Sequence, residues 1–270
     1  MRRIVSRENA HYKALKRLCG SGRERRRSGR VVLDGMHLIE AYGRHCAIPE
    51  EVLVSDSGAC RCEIAAYLDG GSAATTITLL ADSLFDDLAV VDTPSGIMAI
   101  VARPSPAPGF DFDDDTVVLD GVQDPGNVGS ILRSAAAAGF RQALLSADCA
   151  DGWSPKTLRA AMGAHFQLAI HEGSDLPAFL AAYRGQSIAT LVDAATDLYT
   201  ARLEGSAAWV FGSEGQGVRP LVAAATGLHL RIPMAEDCES LNVAAAAAIC
   251  LFETFRRRQS RVNLPAAASN

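Results

Sequence analysis

The stretch Thr116-Val-Val-Leu-Asp-Gly-Val-Gln-Asp-Pro-Gly-Asn-Val-Gly-Ser-Ile-Leu-Arg-Ser-Ala135 decides the fold class, because it reads as a strand, a Pro-Gly turn and a helix start in immediate succession. Thr116 to Asp120 is a short apolar run of the kind buried on both faces of a parallel sheet. Val128, Ile131, Leu132, Ala135 and Gly139 recur at helical spacing and predict a buried stripe on a helix from Val128 to Ala138. Asn127 stands where an N-cap is expected, leaving first-turn N–H groups free to meet an anion. At 100° per residue, Arg133 falls about 140° from Val128, on the outward face, and leans back toward the helix N-terminus. On this segment alone, a routine cap and a surface arginine explain Asn127 and Arg133 equally well.

Working outward toward the C-terminus, further strands are expected at Ala143 to Ser146, Leu168 to His171, Ser187 to Val192, Ala208 to Phe211 and Leu228 to Ile232. A final helix is expected from Leu241 to Arg257. Strands alternating with helices argue for a parallel sheet covered on both faces, and sites in such sheets lie in loops beyond the strands' carboxyl ends. Two such loops carry chemistry. Trp209-Val-Phe-Gly-Ser-Glu-Gly-Gln-Gly217 runs from an apolar strand into a loop where Gly212, Gly215 and Gly217 permit positive φ and close backbone approach. It is not a P-loop, since no Gly-Lys-Ser/Thr follows, and it does not match GxGxxG. Glu214 suits a cationic or hydroxyl-bearing ligand better than a triphosphate. Arg231-Ile-Pro-Met-Ala-Glu-Asp-Cys-Glu-Ser-Leu-Asn-Val-Ala244 is a strand end, an acidic loop and a helix start. Ser240 or Asn242 can cap that helix, which accounts for one of the two but not for both.

Toward the N-terminus, Asn9 to Leu18 has helical spacing and Gly20-Ser-Gly22 ends it before the Arg23 to Arg27 cluster. Strands at Val31 to Leu33, Val52 to Val54, Thr75 to Leu79 and Gly96 to Val101 then alternate with helices at Met36 to Tyr42, Ile64 to Leu68 and Leu84 to Ala89. This is a small α/β sandwich. The run Arg103-Pro-Ser-Pro-Ala-Pro-Gly109 favours an extended chain and marks the linker, so the domains expected are residues 1–106 and 107–270.

Of the 270 residues, 49% are hydrophobic and 21% charged, an ordinary globular balance. The net charge of −5 hides an asymmetry: residues 1–30 hold eleven Arg or Lys against Glu8 and Glu24, a local +9, while the remainder carries −14. A basic arm on an acidic body suggests a polyanionic partner, with a merely solvated basic helix as the competing reading. The N-terminus has no secretory h-region and the longest apolar stretch, Val243 to Phe255, is too short to span a bilayer, so a cytoplasmic protein without membrane contact is expected. Cys60 and Cys62 lie closer together than zinc-knuckle spacing and read as reduced core thiols, and the six histidines form no HxH or HxxxH pair, so no metal is expected.

Taken together and in this order, the three loop segments resemble the signature motifs of the SpoU (TrmH) family of RNA ribose 2'-O-methyltransferases, within the SPOUT class. The first half resembles the family's N-terminal substrate-binding domain, itself similar to RNA-binding large-subunit ribosomal proteins, through Ile4-Val-Ser-Arg-Glu-Asn-Ala10, Leu33-Asp-Gly-Met-His-Leu-Ile-Glu40 and Gly96-Ile-Met-Ala-Ile100. The resemblance implies an α/β SPOUT domain with a parallel sheet and a deep trefoil knot, preceded by a smaller α/β RNA-binding domain. It also implies a homodimer formed through the methyltransferase domain and S-adenosyl-L-methionine as cofactor. Carried over, Gly212, Ile232, Met234 and Leu241 hold the cofactor, while Asn127, Arg133, Glu214, Ser240 and Asn242 form the polar active site. Ala244 and Ala247 depart from the family pattern, standing where Ser and Gly are common.

The reaction implied is methyl transfer to a ribose 2'-hydroxyl of RNA, with ribosomal RNA of the 23S type favoured because a folded domain precedes the catalytic one. Arg23, Arg25, Arg26 and Arg27 are the expected RNA contacts. The family proposal makes Arg133 the base, but a guanidinium stays protonated, so the role expected is a clamp on the neighbouring phosphate and the hydroxyl, oriented by Asn127, with base action only after that phosphate perturbs it. The alternatives are a transfer-RNA or antibiotic-resistance ribosomal-RNA 2'-O-methyltransferase, a base-modifying SPOUT enzyme, and a non-catalytic RNA-binding scaffold.

Overall fold

A computed structural model of the chain describes residues 2–70, 74–89 and 94–262. The chain divides into two compact units, Met1–Ser105 with Trp153–Phe166, and Pro106–Gly152 with Gln167–Asn270. The stretch 153–166, expected in the second domain, thus belongs to the first unit.

In the first unit a mixed five-stranded sheet is built from β1 (Arg2–Ile4), β2 (Arg30–Asp34), β3 (Glu51–Ser55), β4 (Thr76–Leu80) and β5 (Ile97–Ala102), in the order β1-β4-β3-β5-β2. Its helices are α1 (Ala10–Gly20), α2 (Gly22–Ser28), α3 (Met36–His45), α4 (Cys62–Asp69) and α5 (Asp82–Leu88). Strand β5 runs antiparallel to both its neighbours, while β1, β4 and β3 run parallel. Asn9 caps α1 by accepting from the backbone N–H groups of His11 (2.9 Å) and Tyr12 (3.2 Å), and Tyr12, Leu15, Leu18 and Cys19 form its buried stripe. That stripe packs with Phe85 and Leu88 of α5 against Val32, Leu53, Met98 and Ile100 of the sheet. The short strand β1 was not expected, since Ile4 is its single buried residue and supplies no periodicity.

The inserted stretch carries α7 (Pro155–Ala161), which packs on β2. Trp153 is buried, with the Arg103 guanidinium 5.1 Å from its ring centroid. Arg159 lies 3.4 Å from the buried carboxylate of Asp34, which also accepts from the Ser95 hydroxyl at 2.8 Å. Burial pushes the Asp34 carboxyl above its ordinary value, and these two partners oppose the shift.

In the second unit seven strands, all parallel, follow the order β10-β12-β9-β11-β6-β7-β8. They are β6 (Thr116–Asp120), β7 (Gln142–Leu145), β8 (Ala169–Glu172), β9 (Gln186–Thr190), β10 (Thr196–Asp197), β11 (Ala207–Gly212) and β12 (Leu228–Arg231). The helices are α6 (Pro125–Ala137), α8 (Leu176–Ala182), α9 (Pro220–Ala223) and α10 (Val243–Val262). The central strands β6 and β11 are buried along their whole length, as apolar runs in a doubly covered sheet should be. Helices α6 and α10 pack on each other, and Trp209 donates its indole N–H to the Thr254 hydroxyl at 3.0 Å, pinning α10 to the sheet.

All seven cysteines are free thiols, but the core assignment fails for the pair singled out above. Cys60 and Cys62 are exposed, as are Cys46 and Cys238, and only Cys19 and Cys250 are buried. Among the described residues no helix is long and apolar enough to cross a membrane.

Candidate functional site

Parallel pairing aligns the carboxyl ends of β6, β9, β11 and β12, so the loops that leave them emerge at one edge of the sheet. The first of these loops departs from expectation at its cap. Helix α6 starts at Pro125, and Asp124 rather than Asn127 is the N-cap, its carboxylate accepting from the Asn127 backbone N–H at 2.8 Å. Proline pre-sets the φ of the first helical turn and lacks the N–H that would go unpaired there, which moves the helix start forward. Asn127 is therefore inside the first turn, and its side chain is released for other contacts.

Those contacts join all three loops. The Asn127 amide donates to Glu214 Oε1 at 2.7 Å, and its Oδ1 accepts from the Asn242 amide at 3.0 Å. Asn242 in turn caps α10, its Oδ1 accepting from the backbone N–H groups of Ala244 (2.9 Å) and Ala245 (3.2 Å). Of the two capping candidates Asn242 is therefore the cap, and its nitrogen also reaches across the sheet edge, which leaves Ser240 outside the capping role. The Ser240 hydroxyl has no protein partner among the described residues, and Ser240 lines a cavity. Arg133 is exposed on α6, as its helical phase predicts, and makes no hydrogen bond or ion pair with described residues. Among the described residues no hydrogen bond joins Asn127 to Arg133; the Asn127 amide bonds to Glu214 and Asn242 instead.

The cavity, about 670 Å³, is bounded by the second and third loops and the end of β9. Gly212, Glu214, Ile232, Met234, Ser240 and Leu241 all line it, while Asn127, Asn242 and Arg133 do not. Gly212 is irreplaceable on geometric grounds, because a Cβ there would fall 1.9 Å from the carbonyl carbon of Gly217. Gly217 has a φ of +67°, in the left-handed region, and closes a tight bridge with Ser213 through paired backbone hydrogen bonds of 3.1 and 2.9 Å. Gly215 needs neither property. Thr190, Leu191 and Asp193 also line the cavity and were not singled out from the sequence, although the carboxyl end of an expected parallel strand was the available signal.

Among the described residues three carboxylates, Asp193, Glu214 and Glu239, line this cavity, and no Lys, Arg or His does. Such a lining disfavours polyphosphates and suits a ligand with a positively charged centre. The volume lies within the usual range for small-molecule sites, roughly 300–1,000 Å³. S-adenosyl-L-methionine, whose sulfonium and ammonium groups are cationic, fits both observations.

At the other candidate interface, three of the four arginines of α2 are exposed and one is not. Arg25 is buried, its Nη1 donating to the carbonyls of Leu18 (3.0 Å) and Cys19 (2.9 Å), so it seals the C-terminal end of α1 and is withdrawn from the RNA-contact set. Arg23 and Arg26 face solvent, and Arg27 does so while pairing with Glu24 at 2.8 Å.

The SpoU rRNA methylase family matches residues 115–252. The chain is 30% identical to the 23S rRNA (guanosine(2553)-2'-O)-methyltransferase RlmP of Bacillus subtilis, across 93% of this chain and 98% of that protein. Among solved structures it is similar to the SpoU methyltransferase AviRb from Streptomyces viridochromogenes in complex with AdoMet, with a TM-score of 0.84 and 25% identity over 94% of this chain and 99% of that one. The AdoMet-bound rRNA methyltransferase from Sinorhizobium meliloti gives a TM-score of 0.79 and 25% identity over 94% and 97%. With the three motif loops joined by hydrogen bonds beside one cavity and a relative matching along nearly its whole length, the chain belongs to the SpoU rRNA methylase family.

Proposed function

We propose that this protein transfers a methyl group from S-adenosyl-L-methionine to a ribose 2'-hydroxyl of large-subunit (23S-type) ribosomal RNA, at the loop cluster of the second unit. The observation that carries this reading is the hydrogen-bonded chain from Asn242 through Asn127 to Glu214, which ties the three motif loops together beside the carboxylate-lined cavity. The relatives named above supply the reaction and the favoured RNA.

The cofactor supplies an electrophilic methyl on a sulfonium centre. Gly212, Ile232, Met234 and Leu241 hold it in this reading, supported by their place in the cavity wall. The residues around the cofactor would serve mainly to position the ribose 2'-hydroxyl in line with the methyl group. Asn127, Glu214 and Asn242 form the fixed part of that frame, and Ser240 offers an uncommitted hydroxyl to the nucleotide or cofactor. Arg133 clamps the RNA phosphate next to the target ribose, which its exposure and the lack of a partner among the described residues leave it free to do.

The RNA is gathered by the first unit through Arg23, Arg26 and Arg27. A homodimer forms through the second unit, a reading supported by Ala245 and Phe252, which lie two helical turns apart on α10 and are exposed in the single chain, Phe252 by 45%. A deep trefoil knot in the second unit and a cytoplasmic location complete the proposal, supported respectively by the resemblance of the three motif segments to the SPOUT class and by seven free thiols.

The direct test incubates the protein and labelled S-adenosylmethionine with large-subunit ribosomal RNA from cells lacking the gene, then digests the product to nucleosides. A labelled 2'-O-methylnucleoside is expected. Label on a base, or on transfer RNA but not on ribosomal RNA, would replace this reading by another, and sedimentation of the protein as a monomer would remove the dimer.

A further inference from the structure

Asp120 ends β6 with its side chain wholly out of solvent, directly across from Gly212 in the register of β11. A buried carboxylate needs a full set of donors, and one residue supplies it. Arg219 gives its backbone N–H to Asp120 Oδ2 at 2.8 Å and its Nε to Oδ1 at 2.7 Å, with Nη2 2.6 Å from the same oxygen. The Asp120 carboxylate raises the pKa of the Arg219 guanidinium, the sign expected of a tight pair. On its outer side Arg219 reaches the exposed Asp148, at 3.0 Å.

Between these two anchor points lies the glycine-rich loop. Gly212 leaves the strand, the Ser213–Gly217 bridge turns the chain back, and Arg219 ties the returning end to Asp120. Every residue from Ser213 to Val218 lines the cavity, but Arg219 does not. Glu214 projects from the turn and, among the described residues, its carboxylate accepts one hydrogen bond, from Asn127. Its position is therefore set by how firmly the two ends of the loop are fixed.

We propose that the Asp120–Arg219 pair is the positioning device of this loop, and that Arg219 acts on methyl transfer through Glu214 without touching either substrate. This rests on the placement of Glu214 in the active site proposed above. A displacement of about 1 Å at a reacting centre is sufficient to cost roughly a hundredfold in rate, so a loosened loop should register in turnover before it registers in folding.

The test is a double-mutant cycle on kcat, with labelled cofactor and large-subunit ribosomal RNA from cells lacking the gene, joined to amide hydrogen exchange of the cofactor-free protein. Arg219→Ala should lower kcat about tenfold or more and leave KM for RNA little changed, and Glu214→Gln should lower kcat by a similar factor. Combining them should cost little beyond the slower single variant. The Ser213 and Gly217 amides should exchange faster in Arg219→Ala, a change confined to this loop. Arg219→Lys, which keeps the charge but loses the fork, should fall between the parent and the alanine variant. Should the stranded carboxylate prevent Arg219→Ala from folding, Asp120→Asn combined with Arg219→Ala removes both charges and enters the same cycle. Multiplicative losses, or unchanged exchange at residues 213 and 217, overturn the proposal while leaving the active-site reading intact. Full activity of Glu214→Gln overturns that reading and the proposal with it.

Discussion

In the second unit every strand runs the same way, so β6, β9, β11 and β12 deliver four loops to one edge, and residues as distant in sequence as Asn127 and Asn242 meet there. In the first unit the antiparallel strand β5 lies between β3 and β2, splitting the carboxyl ends between both edges of the sheet. Its conspicuous feature is instead the exposed cationic surface of α2. The difference is between two ways of handling an RNA. A convergent edge fixes a few atoms relative to one another and serves chemistry, whereas charges on a short helix serve attraction, which depends on their number more than their arrangement. Substitutions at the edge should therefore act singly and steeply, and those on α2 should act additively and shallowly.

Arg133→Ala is the steepest of these. As the sole cation proposed to hold the phosphate beside the reacting ribose, its loss should lower kcat about 10²- to 10³-fold, measured at saturating RNA with the melting temperature unchanged. Arg133→Lys should recover only a small part, because a point charge cannot reproduce a bidentate fork. Near-parental turnover in Arg133→Ala would erase the contrast between the two regions. Asn127→Ala comes next, since it cuts both hydrogen bonds of the network while leaving the Asp124 cap in place. A loss of about 10- to 100-fold in kcat is expected, with circular dichroism of the helices preserved.

How far these features could be read from the sequence varies from residue to residue for physical reasons. Strand β6 and helix α6 were legible because an apolar run and a 3.6-residue period are local signals. The cap of α6 was misassigned because Asp124 and Asn127 are both good caps and the proline between them decides. That misassignment concealed what Asn127 does, since a capping side chain is not free to join a network. The exposure of Arg133 followed from helical phase alone. Arg25 could not be separated from its neighbours by composition, because only the fold of α1 onto α2 brings its guanidinium to the carbonyls of Leu18 and Cys19. The insertion of 153–166 into the first unit and the Asp120–Arg219 pair depend on contacts between segments about 100 residues apart, for which a single sequence carries no signal.

On the shallow side of the comparison, changing Arg23, Arg26 and Arg27 together to Ser should weaken RNA binding about tenfold near physiological salt. The slope of log K against log salt should flatten by about 2, as expected for three lost phosphate contacts at roughly 0.7 each. Filter binding over a salt series reads both quantities. Arg25→Ser should behave differently, leaving the slope alone and lowering thermal stability, because its loss unseals α1 and removes no phosphate contact. Equal slopes for the triple variant and the parent would move the RNA surface elsewhere.

The smallest effect expected concerns the helix that closes the convergent edge. Glu253 is buried on α10 and accepts from Arg256 Nε (2.8 Å) and Arg257 Nε (2.6 Å), which hold its carboxyl down to about 2 from the ordinary value of 4.5. Arg257 also donates to the carbonyls of Leu198 (2.9 Å) and Tyr199 (3.0 Å), so the pair ties α10 to the loop after β10. Because the folded pKa is depressed, the stabilisation is complete above the ordinary carboxylate range and is lost as pH falls from about 4.5 through about 2. A shift of this size corresponds to about 3 kcal/mol, and the exposure of Arg256 to solvent and salt reduces the expected contribution to about 1–2 kcal/mol. Glu253→Gln should therefore melt about 2–8 °C below the parent at pH 7. The gap should narrow steadily between pH 5 and pH 2, since protonation of the parent carboxyl makes the two proteins alike. A gap that stayed constant over that range would show that Glu253 stabilises α10 by packing rather than by charge, and would leave Arg257 as the tie between the helix and the loop.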